Sequence, residues 1–236
     1  MGTSQPLSAL RRALAHLSSR ALDLSATDLA DDVPRSETGT PSADPLDTAI
    51  SLCLHDDWAE GRDVLRRLAA QHGRCARIWR VLGLAHGRLG DWRRAHEALE
   101  RSQHLDPGDA TAELLQEVRA VRRWARSVER RPWDVEARVR LAMLLMAWER
   151  GDEALEHLRR AVVLKPDWAP AHLYLGLELH YRGDLEEAEQ AYEEALRLVP
   201  DDETASRYLA ALRSGTLPLE DGQKGQADPW QTALAG

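Results

Sequence analysis

Four side chains in the first third of the chain have zinc-ligand chemistry: Cys53 and His55, then His72 and Cys75. Thiolates and imidazoles in close pairs are the donor set of structural zinc sites. The segment between the pairs, Asp57–Gln71, reads as a helix of about 15 residues, and at 1.5 Å rise it holds them about 20 Å apart. One tetrahedral ion cannot span that distance, so the spacing predicts no metal site. His172 and His180 lie eight residues apart on one predicted helix, too far for a shared ion. The phosphate-cradling GxxxxGK[ST] and GxGxxG, the nucleophile elbow GxSxG and the metalloprotease HExxH do not occur. The expectation is a protein that is not an enzyme and has no cofactor.

The second chemically marked stretch is VRAVRRWARSVERRP, Val118 to Pro132, with six arginines and one glutamate. On a helix, Arg119, Arg122, Arg123, Arg126 and Arg130 surround the side opposite Val118, Val121 and Val128. Three readings compete. Arginine is a good helix former that keeps an exposed face soluble. The same face could dock an acidic partner, or the chain's own acidic stretch at 23–47. Nucleic-acid or acidic-polymer binding is the third, and it is disfavoured. The run has one tryptophan and no stacking series, and it sits in a chain of net charge −8. Charge alternates along the length. Residues 23–47 hold seven acids and one arginine, residues 62–131 sixteen arginines and nine acids, and residues 183–203 nine acids and Arg197 alone.

Two cysteines among 236 residues form no disulfide framework and suit a reducing compartment. The first residues, MGTSQPLSALRRALAHL, are interrupted by Arg11, Arg12 and His16, so they lack the apolar core of a signal peptide. No apolar run is long enough to span a bilayer. A cytoplasmic location is expected. The lack of phenylalanine and the Ala/Arg/Leu/Asp bias suggest a high-GC bacterial genome.

These features must be carried by a repeating scaffold, because the C-terminal half repeats every 34 residues. Leu141, Leu145, Ala154, Ala161, Leu164 and Pro166 recur as Leu175, Leu179, Ala188, Ala195, Leu198 and Pro200. Such a period means stacked units, each burying its apolar face only against neighbours. Apolar residues at helical spacing, split by Gly183-Asp184 and ended by Pro200, make each unit a helix–turn–helix hairpin. The residues of Ala169–Asp202 (His172, Leu175, Gly176, Leu179, Gly183, Asp184, Ala188, Tyr192, Ala195, Pro200) resemble the tetratricopeptide repeat (TPR). Ala76–Asp109 does so through Trp79, Leu82, Gly83, Gly90, Asp91, Ala95, Leu99 and Pro107. Val135–Trp168 follows with its turn shifted to Gly151-Asp152. Ser42–Cys75 is a degenerate copy, with Gly61 where alanine is expected. The fold expected is an all-α, TPR-like α-solenoid of antiparallel hairpins. Glu203–Arg213 supplies a C-terminal capping helix.

From Pro107 to Pro132 is 25 residues, nine short of a repeat. Leu114, Leu115, Val118, Val121, Trp124, Ala125 and Val128 follow at helical steps with no breaker. One long helix is expected there, acting as a strut, with two helices kinked near Arg119–Arg122 as the alternative. The organisation predicted is an amphipathic helix and acidic linker at 1–41, a first lobe at 42–109 and the single helix at 110–132. A second lobe at 133–214 and a flexible tail at 215–236 follow. The tail carries Trp230, a candidate docking aromatic. The other tryptophans, Trp58, Trp79, Trp92, Trp124, Trp133, Trp148 and Trp168, read as packing residues.

The resemblance implies a partner segment bound in the concave surface lined by the first helices. Carried over by position, that surface holds Arg77, Arg80, Leu84 and Arg88, then Val139, Arg140, Met143 and Met146. The last repeat adds Leu173, Tyr174, Leu177, His180 and Tyr181. Leu84, Met143 and Leu177 stand where some family members place a carboxylate-clamping asparagine, so a chaperone-tail clamp is not expected. The partner implied is a protein or peptide with apolar anchors and acidic residues. The function implied is a protein–protein scaffold or adaptor. A chaperone for a secreted or assembling protein, similar in plan to type III secretion chaperones, is an alternative. RNA or acidic-polymer binding through the arginine-rich helix is another.

Overall fold

The 3.6-residue periodicity resolves into ten α-helices, with no strand, among residues 45–215, the part of the chain that the structure, a computed structural model, describes. The first five are α1 (Pro45–Leu54), α2 (Trp58–Gln71), α3 (Ala76–Arg88), α4 (Trp92–Leu105) and α5 (Asp109–Arg130). The rest are α6 (Val135–Ala147), α7 (Gly151–Leu164), α8 (Ala169–Arg182), α9 (Leu185–Leu198) and α10 (Glu203–Ser214). The expected N-terminal amphipathic helix, the linker up to Asp44 and the tail with Trp230 lie outside the described residues. Two units divide between Arg119 and Ala120, within α5, and each is taken by itself.

In the first unit α1 pairs with α2 and α3 with α4, and α2 packs on α3. In the second α6 pairs with α7 and α8 with α9, α7 packs on α8, and α10 closes against α9 and α8. The four hairpins share one turn. Asp56 (φ 71°), Gly90 (φ 78°), Glu149 (φ 53°) and Gly183 (φ 88°) all sit in the left-handed region. After each, an amide reaches back five residues: Asp57 to Leu52 O (2.9 Å), Asp91 to His86 O (2.8 Å), Arg150 to Leu145 O (2.8 Å) and Asp184 to Leu179 O (2.9 Å). This is the Schellman closure, which satisfies a carbonyl left open by the helix end. The turn of the third hairpin is therefore not shifted to Gly151-Asp152 as the residue types suggest. Glu149 takes the left-handed position, and Gly151 is the first residue of α7.

Within each hairpin the axes cross at small residues. A Cβ on Gly83 would stand 2.6 Å from the Leu99 side chain and 3.3 Å from Ala95 O. On Gly176 it would stand 2.7 Å from the Tyr192 ring and 3.2 Å from Ala188 O. The degenerate first repeat keeps the contact with its partners exchanged. A Cβ on Gly61, on the second helix, would stand 3.2 Å from Ala49 O and 2.6 Å from Cys53 Sγ. Ala49, Ala95, Ala142, Ala154 and Ala188 are all fully buried.

α5 is one helix of 22 residues with no break at Arg119–Arg122. Leu114, Leu115, Val118 and Val121 on it are buried. At the other end of the second unit, α10 turns Ala205, Tyr208 and Leu209 into the cluster around Tyr192 and Leu179. Tyr208 stacks on Tyr192 with centroids 6.0 Å apart. Asp202 caps α10 by accepting from the Thr204 and Ala205 amides at 2.9 and 3.0 Å. α10 thus shields the last apolar face, as an array end requires.

An added bulky group at a helix crossing overpacks it, at about 1–3 kcal/mol. Ala188→Leu is expected to lower unfolding free energy by that amount in a denaturant titration. Wild-type stability would show that α8 and α9 do not cross at Gly176.

Candidate functional site

The residues expected to line a binding face lie on the first helices of the hairpins, and the structure sorts them by exposure. In the first unit Arg77, Arg80 and Arg88 are half-buried on α3, whereas Leu84 is buried. Arg88 is engaged: its guanidinium lies 4.8 Å from the Trp58 ring centroid and 3.6 Å from Asp56 Oδ1. Arg77 and Arg80 differ. Each buries its Nε with no hydrogen-bond acceptor. An unmatched buried donor costs about 1–3 kcal/mol, so an acceptor brought to it is favoured.

In the second unit Val139, Met143 and Leu173 are buried, so together with Leu84 they leave the expected lining. The cause is contact from more than one side. Each first helix meets its own partner and also its neighbours, α6 touching α8 and Leu173 joining Leu155 of α7. Met146, Tyr174, Leu177, His180 and Tyr181 remain half-buried with surface to offer. Arg140 is held by Glu136 at 2.9 Å and lies 5.3 Å from the Trp124 centroid. Burial pushes the Tyr174 hydroxyl up to about 12, with Tyr208 adding to it. Burial also holds His180 below the ordinary imidazole value, so it is neutral near pH 7. His180 sits 3.4 Å from the Tyr192 hydroxyl. His172 is structural, its Nε2 donating to Pro166 O at 2.8 Å.

The arginine helix is less uniform than its sequence. Arg119 belongs to the first unit, where it pairs with Glu100 at 3.2 Å and reaches His96 at 3.3 Å. In the second unit Arg122 is half-buried, and Arg123, Arg126 and Arg130 are exposed. Arg123 lies over the Trp124 ring at 5.0 Å. Trp133 was expected to pack, but it is 68% exposed, because it sits in the short turn before α6. No group of three or more His, Cys, Asp or Glu able to hold a metal occurs among the described residues. None of their helices is long and apolar enough to cross a membrane.

The residue that sequence reasoning passed over is Glu178. It is 2% exposed, and its Oε1 has no hydrogen-bond partner. It presses against Gly151 at the start of α7, where a Cβ would collide with that oxygen. Nearby Arg182 is committed elsewhere, its Nη1 lying 2.5 Å from Asp152 Oδ1. Burial lifts the Glu178 carboxyl from 4.5 to about 7, Arg182 opposing and Asp152 adding to the rise. A signal was present in the repeat register. Glu178 falls 34 residues after Leu144, a fully buried apolar position.

Antiparallel hairpins with one shared turn define an α-helical repeat protein. Residues 46–110 and 169–202 match the tetratricopeptide repeat, so these parts of the chain carry such repeats. The chain is 27% identical over 174 residues to the mouse protein O-mannosyl-transferase TMTC1, covering 73% of this chain and 16% of that protein. Protein FlbA of Caulobacter vibrioides is 29% identical over 188 residues, with 75% and 31% covered. The chain therefore spans less than a third of either relative. Among solved structures, YrrB, a TPR protein with an unusual peptide-binding site, is 20% identical at a TM-score of 0.38, with 69% of this chain and 88% of that one covered.

The buried carboxyl gives stability a pH dependence with a definite sign. Glu178 binds its proton more tightly in the folded chain, so raising pH from 4.5 through about 7 penalises folding. The penalty is absent below that window and complete above it, at up to about 3 kcal/mol. Glu178→Gln is expected to remove this component, so melting temperatures of variant and wild type should diverge between pH 5.5 and 8. Parallel curves would show that Glu178 ionises without strain.

Proposed function

We propose that the chain is a non-enzymatic, cytoplasmic adaptor that binds a partner segment on the exposed faces of its first helices. The reading is carried by the unmatched Nε donors of Arg77 and Arg80, side by side on α3. A carboxylate from a partner meets the half-buried guanidinium groups of Arg77 and Arg80, which have no ion pair among the described residues. In the second unit, Tyr174, Leu177 and Tyr181 on α8 offer surface suited to apolar anchors, and Met146 adapts to varied shapes. The partner is a peptide segment with apolar side chains and at least one acid. The matches of residues 46–110 and 169–202 to the tetratricopeptide repeat support binding as the task.

A second reading, acidic-polymer binding through α5, is favoured by the exposure of Arg123, Arg126 and Arg130. Salt separates the two, because counterion release makes polyanion affinity fall steeply with ionic strength.

Selection of the full chain against random 12-residue peptides is expected to enrich Asp or Glu together with Leu, Ile or Met. Arg77→Gln/Arg80→Gln is expected to weaken the enriched peptide about tenfold or more, a change of about 1.4 kcal/mol. An unchanged affinity, or enrichment without acids, would overturn the reading.

A further inference from the structure

The side of α3 away from Arg77 and Arg80 forms a second concavity in the first unit. At 100° per residue Trp79 and His86 lie on average about 140° around the helix from those arginines. They floor a cleft of about 490 Å³ between α2 and α4, opened by the short side chains Ala69 and Ala98. Arg66 from α2 and Arg94 and Arg101 from α4 rim it, with Glu97 the one acid. Two of these four are occupied: Arg94 holds Asp91 at 3.0 Å, and Glu97 holds Arg93 at 2.9 Å. Arg66 and Arg101 have neither an ion pair nor a hydrogen bond among the described residues. The cleft thus has an apolar floor and two unpaired cations, in a chain of net charge −8. His86 agrees with that sign. Burial holds it below the ordinary value, and of its charged neighbours Asp91 raises it while Arg94, Arg62 and Arg66 lower it.

The matching chemistry lies just ahead of α1. Residues 28–33 read Asp28-Leu29-Ala30-Asp31-Asp32-Val33, three acids among apolar side chains. Eleven residues separate Val33 from Pro45, where the described chain begins. That length reaches about 40 Å when extended. A folded unit the length of residues 45–119 has a radius of gyration of about 11 Å, so every face of it is within reach. A tether this short sets an effective concentration in the millimolar range, so even a weak contact is populated.

We propose that residues 28–33 dock in cis in the arginine-rimmed cleft between α2 and α4, with carboxylates on Arg66 and Arg101 and an apolar side chain over Trp79. This contact is independent of the partner face on the other side of α3. Charge complementarity and the tether favour the chain's own segment over a free acidic peptide.

Backbone ¹⁵N relaxation on the full chain tests it. At 50 mM salt the order parameters of residues 28–33 should approach the rigid value of about 0.85, and at 500 mM they should fall below about 0.6. Arg66→Glu/Arg101→Glu should release the segment at low salt while the amides of α3 stay rigid. Adding Asp28→Lys/Asp31→Lys/Asp32→Lys to that variant should restore order. A wild-type segment that is flexible at 50 mM salt overturns the proposal, as does one whose order survives Arg66→Glu/Arg101→Glu.

Discussion

The constraint on which the structure rests is how closely two helices can pass. At Gly83 and Gly176 the second helix of the hairpin occupies the space of a missing Cβ, through Leu99 and Tyr192. The alanines opposite, Ala95 and Ala188, are fully buried. Close crossing fixes which face of each helix points inward, so it also decides which face is left for other work. The first hairpin makes the point by exception. There the glycine, Gly61, is on the second helix and the alanine, Ala49, on the first, and the crossing survives. What the chain preserves is small volume at the contact, whichever residue supplies it.

Between hairpins the same volume rule gives a different result in each unit. In the first, Trp58 at the start of α2 packs on the cluster that includes Ala85. In the second, the corresponding start of α7 is Gly151, and the residue facing it from α8 is Glu178. Large and small have changed places. The filling side chain is a carboxylate, however, and it reaches this position without a hydrogen-bonding partner for one oxygen. A buried acid with its neighbouring cation committed to Asp152 favours the protonated form, which ties the packing of α7 on α8 to pH.

The hairpins were legible in the sequence because their signals are local. Gly83 and Ala95 announce a crossing, Gly90-Asp91 and Gly183-Asp184 a turn, and Tyr208 and Leu209 a capping face. The third turn carries no such signal, because Glu149 is not the residue type expected at a left-handed position. Its left-handed backbone is imposed by the helices on either side, while the visible glycine, Gly151, serves a contact made with the next hairpin. Leu84, Val139, Met143 and Leu173 were expected on a binding surface for a related reason. Helical phase tells which side faces away from a helix's own partner, and says nothing of how neighbouring helices cover it. The unmatched Nε atoms of Arg77 and Arg80 and the solitary carboxyl of Glu178 depend on surroundings assembled from several helices, so no spacing rule exposes them.

The central claim is that the two faces of α3 have different tasks, one meeting a partner and the other turned to the cleft between α2 and α4. Arginine Nε–H and tryptophan indole N–H signals appear in the same ¹⁵N spectrum, so one titration with an acidic, leucine-bearing peptide reads both. The account predicts that the Arg77 and Arg80 Nε–H signals move and sharpen while the Trp79 indole stays in place. Movement of the Trp79 indole with the two arginine signals unchanged would contradict it.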